Sequence, residues 1–279
     1  MIPASFDYEV AESVEHALAL LGADPDAKVL AGGHSLVPAL KLRVSRPSKL
    51  VDIGRLSDLA YVRDAGSQLA IGALTRHAAV QGDPLLQEHC PIVSSTAGKV
   101  GDPQVRHRGT IGGSLAHGDP ASDLPAVILA LDAELVIVGA GGERTVAAAD
   151  FFTGVFQTAV GPGELLTEIR IPKLGDATGW SYLKYHRRAQ DWATVGVAAI
   201  VHRDNGTATS ASVALTNMGG TTLRAASVEA AVAAGSSPAE AAAHAAEGAE
   251  PASDTAASAE FRAHLARVLT ERALMEALA

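Results

Sequence analysis

Two short stretches carry the residues best suited to hold a ligand. The longer is Gly109-Thr110-Ile111-Gly112-Gly113-Ser114, which runs on through Gly118-Asp119-Pro120 to Ser122-Asp123. Glycines reach φ > 0 and let backbone N–H groups come close to a bound group. Successive N–H groups in such a turn form a concavity that suits anions. The shorter stretch is Ala31-Gly32-Gly33-His34-Ser35-Leu36, directly after a predicted strand, Lys28-Val29-Leu30. Phosphates bind readily where a strand hands over to a helix. Either stretch alone reads as a tight turn between core elements. Together they suggest the two ends of one large anionic ligand. Asp123 follows closely, with Ser122 before it and Pro125 after it. It is expected to cap a helix running to Leu131, and its carboxylate is also placed to accept hydrogen bonds from ribose or ribityl hydroxyls.

Other chemistries are poorly served. Neither stretch is the G-x-G-x-x-G fingerprint or a P-loop, since no Gly-Lys-Ser/Thr follows. Among ten histidines, His34 lies in the first stretch and His107 and His117 flank the second, yet no metal-ligand spacing such as H-E-x-x-H occurs. No metal site is expected. G-x-S-x-G is missing, so Ser35 is not a nucleophile elbow. Arg106 and Arg108 would either offset ligand charge or face solvent or a partner. The single cysteine, Cys90, excludes an internal disulfide, a four-thiolate zinc site and an iron–sulfur cluster held by this chain alone. It reads as a small buried hydrophobe. The net charge of −9 argues against a nucleic-acid or anionic-membrane surface. No apolar run is long enough to insert in a membrane, and no leader-like pattern opens the chain. A cytoplasmic protein is expected.

The 279 residues, 48% of them hydrophobic, suffice for two domains with substantial cores. Ser13 is expected to cap a helix over Val14 to Leu21, and Thr75 one running to Gln81. Asp83-Pro84 starts a helix to about His89. Leu50 to Ile53 reads as a strand, and Tyr61 to Gly72 as a hairpin around Asp64-Ala65-Gly66-Ser67. Strands follow at Glu134 to Val138 and Leu165 to Ile171, the latter stopped by Pro172. A polar, breaker-rich boundary spans Pro172 to Gly179. Beyond it, Ser181 to His186, Ala193 to Arg203 and Thr207 to Thr216 read as strands, with Asp204-Asn205-Gly206 as a hairpin turn. Helices at Ala225 to Ala234, Pro238 to Glu247 and Ala259 to Leu278 complete an antiparallel sheet backed by helices.

These residues resemble the FAD-binding medium subunit of the molybdenum hydroxylases (the xanthine oxidase family), most of all its aerobic carbon monoxide dehydrogenase branch. The likeness runs in order along nearly the whole chain. It includes Pro3 to Tyr8, Ala31 to Pro38, Ala73-Leu74-Thr75 and Asp102 to Arg106. It is strongest at Gly109 to Ser114 with Gly118-Asp119-Pro120. It continues through Gly163 to Leu166, Leu215-Thr216-Asn217 and Pro251-Ala252-Ser253-Asp254. The resemblance implies an α+β fold: residues 1–176 as a two-subdomain FAD-binding domain of the PCMH (vanillyl-alcohol-oxidase) type, and 177–279 as a small α+β C-terminal domain. It implies that Ala31, Gly32, Gly33, His34, Ser35 and Leu36 wrap the FAD diphosphate and neighbouring sugar with Thr110, Ile111, Gly112, Gly113 and Ser114. Asp123 would bind near the ribityl or ribose, Leu166 would line the cofactor, and Lys184 would reach the flavin region. Trp192 would cover one ring face, unless it belongs to the core. Ser114 stands where some relatives carry Asn, and Asp191-Trp192 where carbon monoxide dehydrogenases tend to carry Asp-Tyr.

The function so implied is electron transfer through FAD, with no acid–base catalytic centre on this chain. A large partner subunit would hold the molybdenum cofactor and oxidise carbon monoxide with water to carbon dioxide. A small partner subunit would hold two [2Fe–2S] clusters. Electrons would leave FAD for a quinone or another acceptor. A dimer of heterotrimers is implied, with the complex at most peripheral to the inner face of the membrane. The same subunit in an aldehyde, xanthine or nicotine-type dehydrogenase is the alternative. A scaffold that has lost FAD, and a standalone flavin oxidase, are readings from other classes.

Overall fold

A computed structural model describes residues 1–279. The chain begins with β1 (Asp7–Val10), α1 (Val14–Ala23), β2 (Lys28–Leu30), α2 (Leu36–Leu42) and β3 (Lys49–Asp52). Ser13 caps α1, its hydroxyl accepting from the His16 N–H. Both β1 and β2 pair with β3 in parallel, in the order β1-β3-β2. Parallel neighbours need crossovers, and α1 and α2 are those crossovers. Ala17, Leu21, Val51 and Ile53 form the small core of this first subdomain.

The second subdomain is built on an antiparallel sheet. Its strands are β4 (Val62–Ala65), β5 (Gln68–Gly72), β6 (Glu134–Gly139), β7 (Gly142–Ala147) and, after the short pair β8 (Phe152–Gly154) and β9 (Gln157–Thr158), β10 (Leu165–Pro172). The sheet order is β4-β5-β10-β6-β7. Between β5 and β6 come six helices: α3 (His77–Gly82), α4 (Pro84–His89), α5 (Pro91–Ala97), α6 (Pro103–Arg108), α7 (Ile111–His117) and α8 (Asp123–Ala130). Proline at the first position starts α4, α5 and α6, where its missing N–H costs nothing. A single-turn helix, α9 (Ala148–Phe151), joins β7 to β8. Thr75 does not cap α3: Arg76 occupies that position, and the Thr75 hydroxyl instead exchanges hydrogen bonds with the Tyr61 backbone.

The C-terminal domain is the antiparallel sheet β11 (Thr178–Tyr185), β12 (Val195–Asp204), β13 (Thr207–Thr216) and β14 (Leu223–Arg224), in that order. Asn205 and Gly206, both at positive φ, make the β12–β13 turn, as a two-residue hairpin with right-handed twist requires. The helices are α10 (Ala226–Ala233), α11 (Pro238–Ala242) and α12 (Ala259–Leu278). The regular part of α11 is shorter than its sequence suggests. Strand side chains alternate between faces, and β12 uses both. Val195, Val197, Ala199 and Val201 join the core under α10 to α12, while Ala198 and Ile200 join the large core of the second subdomain. The sheet is therefore covered on both sides. α8 lies at that junction, and every one of its residues is buried. No helix is long and apolar enough to cross a membrane.

Candidate functional site

The first glycine loop leaves donors free. Gly33 takes φ +76°, which favours glycine. The backbone N–H groups of Gly32, Gly33, His34 and Ser35 donate to no acceptor within the chain, and the Ser35 hydroxyl makes no capping bond to α2. The His34 ring folds back on the Gly32 carbonyl. His34 and Ser35 are exposed, Ala31 and Leu36 partly covered. Four unpaired, solvent-reachable N–H groups in succession are what an anion needs.

The second loop is different, and here the expectation from sequence is corrected. Its N–H groups are mostly spent inside the protein. Ile111 donates to the Thr75 carbonyl, Gly112 to that of Ala73, Gly113 to the Thr110 hydroxyl and Ser114 to the Thr110 carbonyl. Thr110 is 2% exposed and its hydroxyl caps α7, so what this loop can offer a ligand is the Ser114 hydroxyl and a bare surface at Gly113. Its glycines serve close approach. A Cβ on Gly112 would stand 2.4 Å from the Ala73 Cβ. The two loops also touch: a Cβ on Gly32 would lie 2.3 Å from the Arg108 carbonyl oxygen.

A cleft of about 420 Å³ opens between the two domains. Gly98, Lys99, Gly101, Asp102 and Arg106 line one side, and Lys184, His186, Ala189 and Gln190 the other. Arg106 stands out in the sequence by its place just before the second loop, whereas Lys99 is not separable there from other cations, because only the domain contact brings it opposite Lys184. Burial lowers the Lys99 ammonium below its ordinary range; its Nζ donates to the Tyr182 carbonyl. α6 connects this cleft to the loops. Gly101, Asp102 and Pro103 line the cleft at the start of α6, with Arg106 further along it, and Arg108 abuts Gly32 where the helix stops. The helix has six residues, and at 1.5 Å each it is roughly 9 Å long. A ligand touching both places must be extended.

Asp123 is not the cap of α8. Ser122 holds that position, and Asp123 is the first helical residue. Its carboxylate accepts from the Tyr182 hydroxyl at 2.6 Å and from Lys184 Nζ at 2.9 Å. Burial raises the Asp123 carboxyl above the usual range, with Lys184 and Tyr182 pulling the other way. Burial and the neighbouring carboxylate push the Tyr182 hydroxyl well up. Asp123 and Lys184 are thus brought together, one from each domain. Leu166 sits in β10, only 6% exposed. Trp192 is not a core residue: it is 65% exposed, on the connection between β11 and β12 that also carries His186, Ala189 and Gln190.

Comparison with known proteins places the chain in a family. Residues 4–174 match the FAD-binding domain found in molybdopterin dehydrogenases, and residues 180–277 the C-terminal domain of carbon monoxide dehydrogenase flavoproteins. The chain belongs to this flavoprotein family. It is 44% identical over 225 residues to the carbon monoxide dehydrogenase medium chain of Hydrogenophaga pseudoflava, covering 80% of this chain and 78% of that one. It is equally 44% identical to subunit alpha of the 6-hydroxypseudooxynicotine dehydrogenase complex of Paenarthrobacter nicotinovorans, over 100% of this chain and 96% of the relative. The solved structure of the H. pseudoflava carbon monoxide dehydrogenase that lacks the Mo-pyranopterin moiety superposes with a TM-score of 0.97 at 42% identity, covering 99% and 98% of the two chains. The chain is accordingly a flavoprotein subunit of the molybdenum hydroxylase type.

Proposed function

We propose that this chain carries FAD within a carbon monoxide dehydrogenase complex. The observation that supports this most directly is the pairing of a free N–H loop with a cation-lined cleft at opposite ends of α6. The diphosphate is assigned to Gly32, Gly33, His34 and Ser35, with Ala31 and Leu36 flanking it. Ser114 supplies a hydroxyl beside it, and Thr110, Ile111, Gly112 and Gly113 hold that surface close. The ring is assigned to the cleft, with Trp192 over one face, and Leu166, which lies outside the cleft lining in β10, is assigned to line the cofactor elsewhere along its length. In this reading Asp123 receives a ribityl hydroxyl and Lys184 faces the ring. The division between the two domains falls at 176/177.

Bound flavin supplies a carrier that accepts electrons singly or in pairs. The chain's own residues bind it, orient it and set its electrostatics. Lys99 and Arg106 place positive charge at the cleft, while the Lys184 charge is balanced by Asp123; the net positive charge favours the more negative, reduced ring. Gly32 and Gly112 fix the loop spacing that sets the ligand's reach. Partners are the large molybdenum subunit and the small iron–sulfur subunit, in a dimer of heterotrimers. Electrons leave for a quinone or another acceptor, and the complex is cytoplasmic, at most peripheral to the inner face of the membrane. The equal identity to the 6-hydroxypseudooxynicotine relative supports a second reading, in which the complex oxidises an N-heterocyclic substrate. The test is to assemble the complex and record the flavin spectrum. Carbon monoxide should bleach it and an N-heterocycle should not. A complex that lacks flavin while its other cofactors are fully present refutes the proposal.

A further inference from the structure

Two stretches singled out in the sequence, Leu215-Thr216-Asn217 and Pro251-Ala252-Ser253-Asp254, are far in sequence from Gly32–Ser35 and Gly109–Ser114, but they meet at one place in the fold. That place is the end of the β11–β12 connection, the segment 186–194 that walls the cleft and carries Trp192. The Thr194 N–H closes the connection by donating to the Tyr185 carbonyl at 2.8 Å. The carbonyls of Ala193 and Thr194 are then held from two sides. Asn217 Nδ2 donates to the Ala193 carbonyl at 2.8 Å and to that of Thr194 at 3.4 Å. Arg262, from α12, donates through Nη1 to the same Thr194 carbonyl.

Each holder is itself fixed. Asn217 adopts φ +62°, a conformation that asparagine tolerates better than most residues. Its backbone N–H donates to the Pro120 carbonyl at 2.8 Å, on the turn just after α7. Arg262 is 2% exposed, and its Nη2 donates to Asp254 at 2.7 Å. The other Asp254 oxygen accepts from the Ala256 and Ala257 N–H groups. One continuous path therefore runs from the glycine helix α7 through Pro120 and Asn217 to the base of Trp192, and from there through Arg262 to Asp254. A buried guanidinium spent on a main-chain carbonyl fixes backbone position, since leaving either group unpaired is costly.

We infer that Asn217 and Arg262 are positioning residues for the flavin: they set where the 186–194 connection, and with it Trp192, stands against the ring in the cleft. The inference rests on the flavin reading above. The test uses the full chain in its assembled complex, loaded with FAD. The readouts are the rate of FAD release and the flavin circular dichroism, taken as loaded minus flavin-free complex. Asn217→Gly keeps the positive φ and the N–H to Pro120 and deletes only the amide. It should release FAD severalfold faster and alter the dichroism as Trp192→Phe does. The double variant should be no worse than either single one. Arg262→Met should behave like Asn217→Gly, and Arg262→Lys, which keeps a donor, should recover most of the wild-type rate. If Arg262→Met fails to fold, Asn217→Gly decides alone. Wild-type release rate and dichroism in Asn217→Gly, or a loss that adds in full to that of Trp192→Phe, overturns the inference. A wild-type complex that takes up no FAD overturns the flavin reading instead.

Discussion

Asp123 and Lys184 form an ion pair 2.9 Å long across the domain boundary, with side chains only 6% and 3% exposed. The Tyr182 hydroxyl completes the group at 2.6 Å. Removing one member of such a pair leaves an uncompensated buried charge, which typically costs about 3–5 kcal/mol, whereas replacing both by apolar residues is often neutral. Asp123→Ala and Lys184→Met should each lower stability by an amount of that order. The double variant should lose less than the two added together. Urea unfolding of the apoprotein measures this, and strict additivity would remove the ion pair as the cause.

His77 should make the protein acid-sensitive. It is 3% exposed, its Nδ1 has no partner, and it packs against Gly109 at the entry to the second loop. Burial, with Arg106 and Arg76 nearby, brings its pKa down from 6.5 to about 4. The unfolded chain therefore binds a proton that the folded chain refuses. The stability is complete above pH 6.5, falls as pH drops from there to about 4, and levels off below. The loss over that window is on the order of 3 kcal/mol. Denaturation at several pH values should show this slope in the wild type, and His77→Leu should flatten it.

Glycine substitutions should separate by what a Cβ would meet. At Gly32 it would lie 2.3 Å from the Arg108 carbonyl oxygen, and at Gly112 2.4 Å from the Ala73 Cβ. Gly32→Ala should push the loops apart and Gly112→Ala should push α7 off Ala73, and both should lose flavin on gel filtration. Gly22, inside α1, has nothing within 4 Å of its added Cβ. Gly22→Ala should retain flavin and stabilise the fold by roughly 0.5–1 kcal/mol.

Cys90 should be inert in the native protein. It is fully buried, and desolvation pushes its thiol up to about 12. The thiolate is the reacting form. Iodoacetamide should therefore label the chain only in denaturant, and rapid native labelling would contradict the packing around α4 and α5.

Much of the fold was legible because local rules and tertiary contacts agree. Ser13 caps α1, Asn205-Gly206 turns β12 into β13, and the continuous apolar run Val195 to Val201 reads as a strand. The helices α5, α6 and α7 were harder. They are six or seven residues long, too short for periodicity to register, and they persist because the large core packs against them. The glycine loops were legible as ligand-binding by residue type, but the division of labour between them was not. Whether an N–H is free depends on which carbonyl lies opposite, and Ala73 and Thr75 come from a distant part of the chain.

By itself the sequence determined the class of protein, the two loops, the two domains and the absence of any thiolate cluster on this chain. The class follows from the resemblance of these motifs to a known family, and the rest from residue types and near-neighbour spacing. The tertiary structure alone decided that Asp123 pairs with Lys184 and does not cap α8. It alone brought Lys99 and Arg106 opposite Lys184 across a cleft, and put Asn217 and Arg262 beneath Trp192. Those relationships join residues far apart in the chain, and they exist only once the C-terminal sheet has packed its inner face against α8.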